Sequence, residues 1–264
     1  MYQGEPLVAS YKLYFTNTKV TRPTIIEEPN FTGFYRKKLK IDRIPTSKEN
    51  YRGEQYNTGI FDQMVLIPQQ SGNLRPGEVQ AQIPTQLPTN QTDIFGRRVT
   101  RTINQTAAEN FPSIEVRPLP ERGKPSGFGG AVGDYNFSVT LSRNELSANE
   151  SITLTVKVSG TGNIKLIEAP EPEIPSAFEA FDPEYEENIR VNAAGMSGTK
   201  TYRYLLVPRY GGTYKIPELK FSYFDPRLER YLTLQSEELE VTVTGGTPQP
   251  GQPQSGVNTP ERKR

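Results

Sequence analysis

Acidic side chains grouped within six residues are the first candidates for chemistry in this 264-residue chain. The group consists of Asp182, Glu184, Glu186 and Glu187. Carboxylates bind hard cations such as Ca²⁺, and pairs of them serve as the catalytic acids of glycosidases. The spacing matches no calcium loop, and Asp182 precedes a proline, which is typical of a turn. We therefore expect a solvated loop without a metal, and retain Glu184, Glu186 and Glu187 as candidate contacts to a partner protein.

The residue composition removes most common catalytic chemistries. The chain has no cysteine, histidine or tryptophan, which excludes thiol nucleophiles, disulfides, Cys/His zinc sites and histidine-based triads. Lysine and arginine total 31 against 30 aspartates and glutamates, so the formal charge of +1 gives no attraction to nucleic acid. We expect no enzymatic activity, no catalytic residue and no cofactor.

Two glycine-rich segments, 129–133 and 160–162, superficially resemble phosphate-binding loops. Such a loop needs a following helix whose N-terminus holds the phosphate, whereas the neighbouring patterns here indicate strands. The glycines are therefore predicted to be turns or a domain entry.

Aromatic residues in the last quarter of the chain are a second candidate surface, for a sugar or a peptide. Burial in the core is favoured over exposure, because aromatic residues in strands are mostly buried. The residues are Tyr202, Tyr204, Tyr210, Tyr214, Phe221, Tyr223 and Phe224.

The elements that must position these residues are strands. Apolar and polar residues alternate with a period of two, most clearly at residues 152–158, and no long stretch has a helical period. The 23 prolines and 22 glycines are spread along the chain and separate many short segments. Hydrophobic residues make up 34% of the chain, enough to fill a core, but no run of about 18 apolar residues is present. The fold class is predicted to be all-β.

An internal repeat defines the architecture. Residues 4–13 resemble residues 149–158 at an offset of 145, with a glutamate, a lysine and the apolar alternation in register. Leu-Ile-Pro at 66–68 followed by Gly72 recurs as Leu-Val-Pro at 206–208 followed by Gly212. We interpret both of the latter segments as hairpins in which proline ends one strand and glycine supplies the turn.

The repeat predicts two tandem immunoglobulin-like β-sandwich domains, at residues 1–120 and 121–244, joined near 118–133. In the first domain, residues 84–112 are polar with little alternation and are predicted to be a long loop or excursion. Residues 245–264 are rich in proline and glycine and are predicted to be a disordered tail.

Several segments resemble a known family. They include Tyr-Gln-Gly-Glu-Pro at 2–6, Gly-Ala-Val-Gly at 130–133 and Gly-Thr-Gly-Asn-Ile at 160–164. Over about residues 2–243 the chain resembles the BatD family, the Bacteroides aerotolerance or oxygen tolerance proteins. The resemblance implies the middle portion of an extracytoplasmic region made of immunoglobulin-like domains, and it brings no catalytic residue.

The resemblance also implies a function and a location. We expect a periplasmic protein, anchored to the inner membrane in its full-length form, that acts as a scaffold for protein–protein interaction in a membrane-associated stress-response complex. Its expected partners are von Willebrand factor A-type membrane proteins from the same operon, and Glu184, Glu186 or Glu187 would complete the coordination of a partner's metal. The alternatives are a carbohydrate-binding β-sandwich of the cell envelope and a mechanical spacer.

Overall fold

The structure is a computed structural model that describes residues 1–16 and 19–246. These residues form 20 β-strands, one 3₁₀ turn and no α-helix. The first half of the chain contains β1 (Leu7–Phe15), β2 (Lys19–Val20), β3 (Thr24–Glu27), β4 (Phe34–Lys38), β5 (Thr46–Tyr51), β6 (Glu54–Pro68), β7 (Gly72–Leu74), β8 (Glu78–Thr92), β9 (Arg98–Asn110) and β10 (Ile114–Val116). The second half contains β11 (Ala131–Leu141), β12 (Glu145–Ser147), β13 (Ile152–Gly162), the 3₁₀ turn (Ile164–Leu166), β14 (Phe178–Ala180), β15 (Glu184–Asn192), β16 (Gly195–Pro208), β17 (Gly212–Ile216), β18 (Lys220–Asp225), β19 (Arg230–Gln235) and β20 (Leu239–Thr244).

The strands build several packed sheets, so the predicted all-β, sandwich-like class is confirmed. In the first half, β6 lies between β1 and β4 and also pairs with β5. The strand β8 pairs with β2, β3 and β9, and β7 pairs with β10. In the second half, a seven-stranded sheet runs in the order β14, β16, β13, β11, β18, β19, with β15 also on β16, and β20 lies between β12 and β17.

The internal repeat extends to strand register. Leu7 on β1 lies opposite Leu66 on β6, and Ile152 on β13 lies opposite Leu206 on β16. The strands β4 and β14 begin at equivalent positions, each opposite the proline that ends the long strand. The strand pair β7 and β10 likewise corresponds to β17 and β20. We refer to residues 2–117 as the first repeat and to residues 131–244 as the second repeat.

The turns that enter β1 and β13 are also the same. The backbone N–H of Tyr2 donates to Glu5 Oε2 at 2.7 Å, and that of Ser147 donates to Glu150 Oε2 at 2.9 Å. Each glutamate therefore closes its turn by accepting from the residue three positions earlier. This shared role explains why the glutamate stands out in the sequence repeat.

Gly4 and Asn149, which precede these glutamates, both adopt the left-handed conformation. Their φ angles are +82° and +67°, a region that glycine occupies freely and asparagine tolerates better than most residues. Their N–H groups donate to the carbonyls of Pro68 at 2.9 Å and Pro208 at 2.8 Å. These hydrogen bonds thus tie the turns before β1 and β13 to the ends of β6 and β16.

The predicted hairpins after Pro68 and Pro208 are wrong. Proline does end β6 and β16, and Gly72 and Gly212 begin the next strands, but β7 pairs with β10 and β17 pairs with β20. The chain therefore crosses to another sheet instead of folding back on the same one. The proline and glycine pattern marks where a strand stops, and it carries no information about the sheet that the next strand joins.

The predicted loop at residues 84–112 is also wrong, because most of this segment is paired. The strands β8 and β9 form a long hairpin in which Pro84 lies opposite Asn104 and Pro88 lies opposite Thr100. Its outer part is exposed on both faces, so most of its side chains are polar and the alternation that marks a half-buried strand is largely absent. We call β8, β9 and the turn between them the long hairpin.

Each repeat has its own hydrophobic cluster, and a further cluster joins them. Val65 and Ile67 of β6, both fully buried, pack in one cluster with Tyr135, Phe221 and Tyr223 of the second repeat. Residues 118–130, between the repeats, contain no strand. The predicted boundaries at 120 and 121 remain a prediction, and nearly all of the predicted tail, from residue 247 onward, lies outside the described residues.

Candidate functional site

The candidate acidic residues lie on a strand and not in the solvated loop that was predicted. Glu184, Glu186 and Glu187 belong to β15, which pairs along its length with β16. Glu184 lies opposite Arg203, and Glu187 lies opposite Lys200. The strand is exposed along most of its length and forms the outer edge of the seven-stranded sheet, which is why its sequence is as polar as that of a loop.

Two of the three glutamates are engaged by cations of the same repeat. Glu186 accepts a hydrogen bond from Arg203 Nη2 at 2.7 Å. Glu187 pairs with Lys165 and accepts from the Tyr185 hydroxyl at 2.7 Å, and these hydrogen bonds lower the pKa of Glu187. The side chain of Glu184 is 77% exposed and lies 3.9 Å from Arg203, so it is the most available of the three.

No three acidic side chains in residues 1–16 and 19–246 converge in an arrangement that would hold a metal ion. The carboxylates of β15 face cations instead of one another. They can therefore supply a single ligand to a partner's ion, whereas a complete coordination shell would need oxygens from elsewhere.

The aromatic candidates are mostly core residues, as predicted. Tyr214, Phe221, Tyr223 and Phe224 are all at least 94% buried. The remaining three pack against the second repeat's core as partly buried residues; they are Tyr202, Tyr204 and Tyr210. This group offers no continuous exposed aromatic face for a sugar.

The glycine-rich segments form a junction between β11 and β13. Gly133, Gly160 and Gly162 lie on these paired strands and not in turns, and Gly129 and Gly130 lie exposed directly before β11. Gly133 lies opposite Gly162 on the paired strands β11 and β13, and Gly160 lies opposite Tyr135. A Cβ atom on Gly160 would lie 2.2 Å from the carbonyl oxygen of Asp134, so only glycine fits there. The two segments resemble phosphate loops in composition, but they provide close backbone approach between strands.

Asn163 completes this junction, and the sequence analysis missed its role. It is 4% exposed, and its Oδ1 accepts from the Val132 N–H at 2.8 Å and from the Tyr135 hydroxyl at 3.0 Å. Its Nδ2 donates to the Gly130 carbonyl at 2.8 Å. Burial raises the pKa of Tyr135, which therefore remains a neutral donor. The one signal in the sequence was an asparagine directly after Gly-x-Gly. In the structure this asparagine holds the start of β11 against the end of β13, where the second repeat begins.

The tip of the long hairpin is the most exposed apolar feature of the described chain. Ile94 is 93% exposed and Phe95 is 77% exposed. The turn is held by Asp93, whose Oδ1 accepts from the N–H groups of Phe95 at 2.9 Å and Arg97 at 2.8 Å. The two apolar side chains therefore project from an ordered turn. We call residues 93–98 the hairpin tip.

Positive charge lies directly behind these apolar side chains. Arg97 and Arg98 follow the turn, and Arg101 lies three residues further along β9. The single acidic residue of the tip, Asp93, accepts hydrogen bonds from backbone N–H groups of the turn. The tip therefore combines two exposed apolar side chains with nearby arginines, within a chain whose formal charge is only +1.

The corresponding hairpin of the second repeat, β18 and β19, is shorter and provides an internal comparison. Its turn is held by Asp225, whose Oδ1 accepts from the Arg227 N–H at 2.8 Å. Leu228 at this turn is 52% exposed and has no apolar neighbour in sequence. The same turn design thus presents an apolar pair in the first repeat and a single half-exposed leucine in the second.

A family model matches part of the chain. Residues 139–243 match the BatD family model, described as the BatD DUF11 like domain. The match begins within β11 and ends within β20, so it covers most of the second repeat. No curated protein matches the chain significantly. No helix in residues 1–16 and 19–246 has the length and apolar character needed to cross a membrane.

Proposed function

Because residues 139–243 match the BatD family model, we propose that the protein is a non-enzymatic, protein-binding scaffold. The family domain associates the chain with aerotolerance proteins of the cell envelope. Our proposal adds that the protein works in the periplasm, anchored to the inner membrane in its full-length form. Its partners are von Willebrand factor A-type membrane proteins of the same operon.

The observation that carries the proposal is the hairpin tip. Ile94 and Phe95 project into solvent from an ordered turn, where they contribute nothing to the protein's own core. Burying one such side chain in a partner stabilises a complex by about 1.5–3 kcal/mol. An aromatic anchor beside arginines is the composition of interface hot spots, which supports a role in protein binding.

The experiment is co-purification from cells that produce the tagged full-length protein. The paired change Ile94→Ser and Phe95→Ser is expected to reduce recovery of the von Willebrand-type neighbours at least tenfold, since about 1.4 kcal/mol corresponds to tenfold in affinity. Both residues are exposed, so the free energy of unfolding should change by less than about 0.5 kcal/mol. The matched control, Leu228→Ser, changes the corresponding turn of the second repeat. Full recovery of the partners by the paired variant would refute the proposal.

The carboxylates of β15 provide a second, separable contact in this proposal. A von Willebrand-type partner that carries Mg²⁺ would accept one oxygen ligand from Glu184, the least engaged of the three glutamates. Glu184→Gln should abolish any Mg²⁺-dependent part of the binding, and Glu54→Gln is a control on an exposed glutamate at the start of β6 in the first repeat. Binding by the Glu184 variant that keeps its full Mg²⁺ dependence would remove this contact from the proposal.

A further inference from the structure

The two repeats differ at one edge. In the second repeat, β13 lies between β16 and β11, and β11 pairs with it from Gly133 opposite Gly162 to Leu141 opposite Leu154. In the first repeat, the equivalent strand β1 pairs with β6 on one side. No strand in the described part of the chain lies on its other side. The first repeat therefore has the counterpart of every neighbour of β13 except β11.

In the second repeat, β11 fills the space beside β13 with large apolar side chains. The ring of Tyr135 lies 5.8 Å from that of Phe221 and 5.6 Å from that of Tyr223, both on β18. The ring of Phe137 stacks on Phe221 at 5.8 Å. Alternate residues of β11 thus close the gap between β13 and β18.

The equivalent space in the first repeat is an open apolar groove of about 510 Å³. It runs along β1 from Leu7 to Leu13, and its far wall includes Val79, Ala81 and Ile83 of β8. These three residues are the counterparts of Leu219, Phe221 and Tyr223 at the offset of 140 that relates the β6–β7 and β16–β17 segments. The groove therefore lies where the side chains of β11 lie in the other repeat.

Two properties of the groove indicate what fits it. Only Lys12 and Glu109 among its lining residues carry a charge, so the occupant must be largely uncharged. The hydroxyl of Tyr11, also in the lining, is the buried side-chain polar atom of the described residues that lacks a hydrogen-bond partner. Burial raises the pKa of Tyr11 to about 12, so this hydroxyl stays protonated and can donate to an incoming carbonyl.

We propose that the groove beside β1 accepts an extended polypeptide strand from outside this sequence, running antiparallel to β1 and presenting an apolar side chain at every second position. The unpaired backbone groups of the β1 edge bind the main chain of such a strand, and the groove receives its alternate side chains. The chain from residue 247 to its end lacks this alternation and is not the occupant. This inference is independent of the hairpin tip, which lies elsewhere on the first repeat.

The test supplies the strand from the protein's own second repeat. A copy of residues 131–145 fused directly before Met1 has the spacing of β11, because residue 146 corresponds to residue 1 at the offset of 145. We expect at least tenfold slower hydrogen exchange of β1 amides in the full chain, and a melting temperature higher by about 5 °C or more. The control fusion carries serine in place of Tyr135, Phe137 and Val139 in the copy, with its length and linkage unchanged.

The same strand can be offered as a separate peptide. The chain has no tryptophan, so a peptide of residues 131–143 with tryptophan in place of Tyr135 reports binding by its own fluorescence. A saturable blue shift that the serine-substituted peptide does not produce is the expected result. Equal exchange rates and melting temperatures in the two fusions would overturn the proposal, as would a dimer of the unfused chain that already protects the β1 amides.

Discussion

Replacement of Asn163 by alanine tests the junction that starts the second repeat. The asparagine is 4% exposed and bonds three groups through one side chain, on segments that are separated by about 30 positions in sequence. Alanine removes both the acceptor and the donor without introducing a steric clash. Any loss of stability therefore reports on the hydrogen bonds and the cavity that remains.

The magnitude follows from what happens to each partner. The N–H of Val132, a fully buried residue, loses its acceptor, which costs about 1–3 kcal/mol. The Tyr135 hydroxyl still reaches the Val132 carbonyl at 3.3 Å, and the carbonyl of the exposed Gly130 can bind water, so these two groups add little. With about 1 kcal/mol for the cavity, the free energy of unfolding should fall by about 2–4 kcal/mol.

Urea unfolding followed by circular dichroism measures this difference. The control is Asn136→Ala, on the exposed face of β11 in the same junction, for which a change within about 0.5 kcal/mol is expected. A loss of unfolding free energy below about 0.5 kcal/mol in the Asn163 variant would refute the interpretation that Gly-x-Gly-Asn holds the start of β11 against the end of β13. Its residues would then need another explanation.

Three further results are expected. Gly160→Ala should lower the free energy of unfolding by at least about 2 kcal/mol, because its Cβ would lie 2.2 Å from the Asp134 carbonyl oxygen. The control Gly129→Ala places a Cβ with no atom within 4 Å and should leave the free energy of unfolding unchanged. Similar urea midpoints for the two variants would contradict this prediction. The Glu187–Lys165 pair should stabilise the folded protein fully above pH 4.5, the ordinary pKa of the carboxyl, and should lose this effect as the pH falls through the lower pKa of folded Glu187. Glu187→Gln should therefore flatten the acid side of the curve of unfolding free energy against pH. An unchanged acid side would count against this prediction. Trypsin should cut the described chain first at Arg97 or Arg98 in the hairpin tip, as judged by mass spectrometry, and an earlier cut within β13 would contradict the pairing seen here.

Sequence patterns identified the repeat because its signals are local. The glutamate that closes each entry turn and the alternation of the following strand both act within a few residues, so they recur wherever the turn recurs. The burial of Phe221 and Tyr223 was likewise predictable, since apolar alternation on a strand reports which face is covered. Phe224 lies on the opposite face of β18, and alternation does not predict its burial.

The errors arose where the answer depends on contacts distant in sequence. Pro68 and Gly72 mark the end of one strand and the start of the next, but pairing of β7 with β10 is decided by residues about 40 positions later. The outer part of the long hairpin and β15 are largely polar because both of their faces meet solvent, and this composition is close to that of a loop. Asn163 carries no periodic signal at all, because its role depends on the backbone of a strand about 30 positions earlier.

Site-specific photo-crosslinking in cells tests directly whether this protein is a protein-binding scaffold. A photoreactive phenylalanine analogue replaces Phe95 in one full-length variant and Leu228 in another, so the two corresponding turns are compared in the same protein. We expect that the residue 95 variant crosslinks to a von Willebrand factor A-type neighbour and that the residue 228 variant does not. Absence of that product at residue 95, or equal yields at both positions, would contradict the claim.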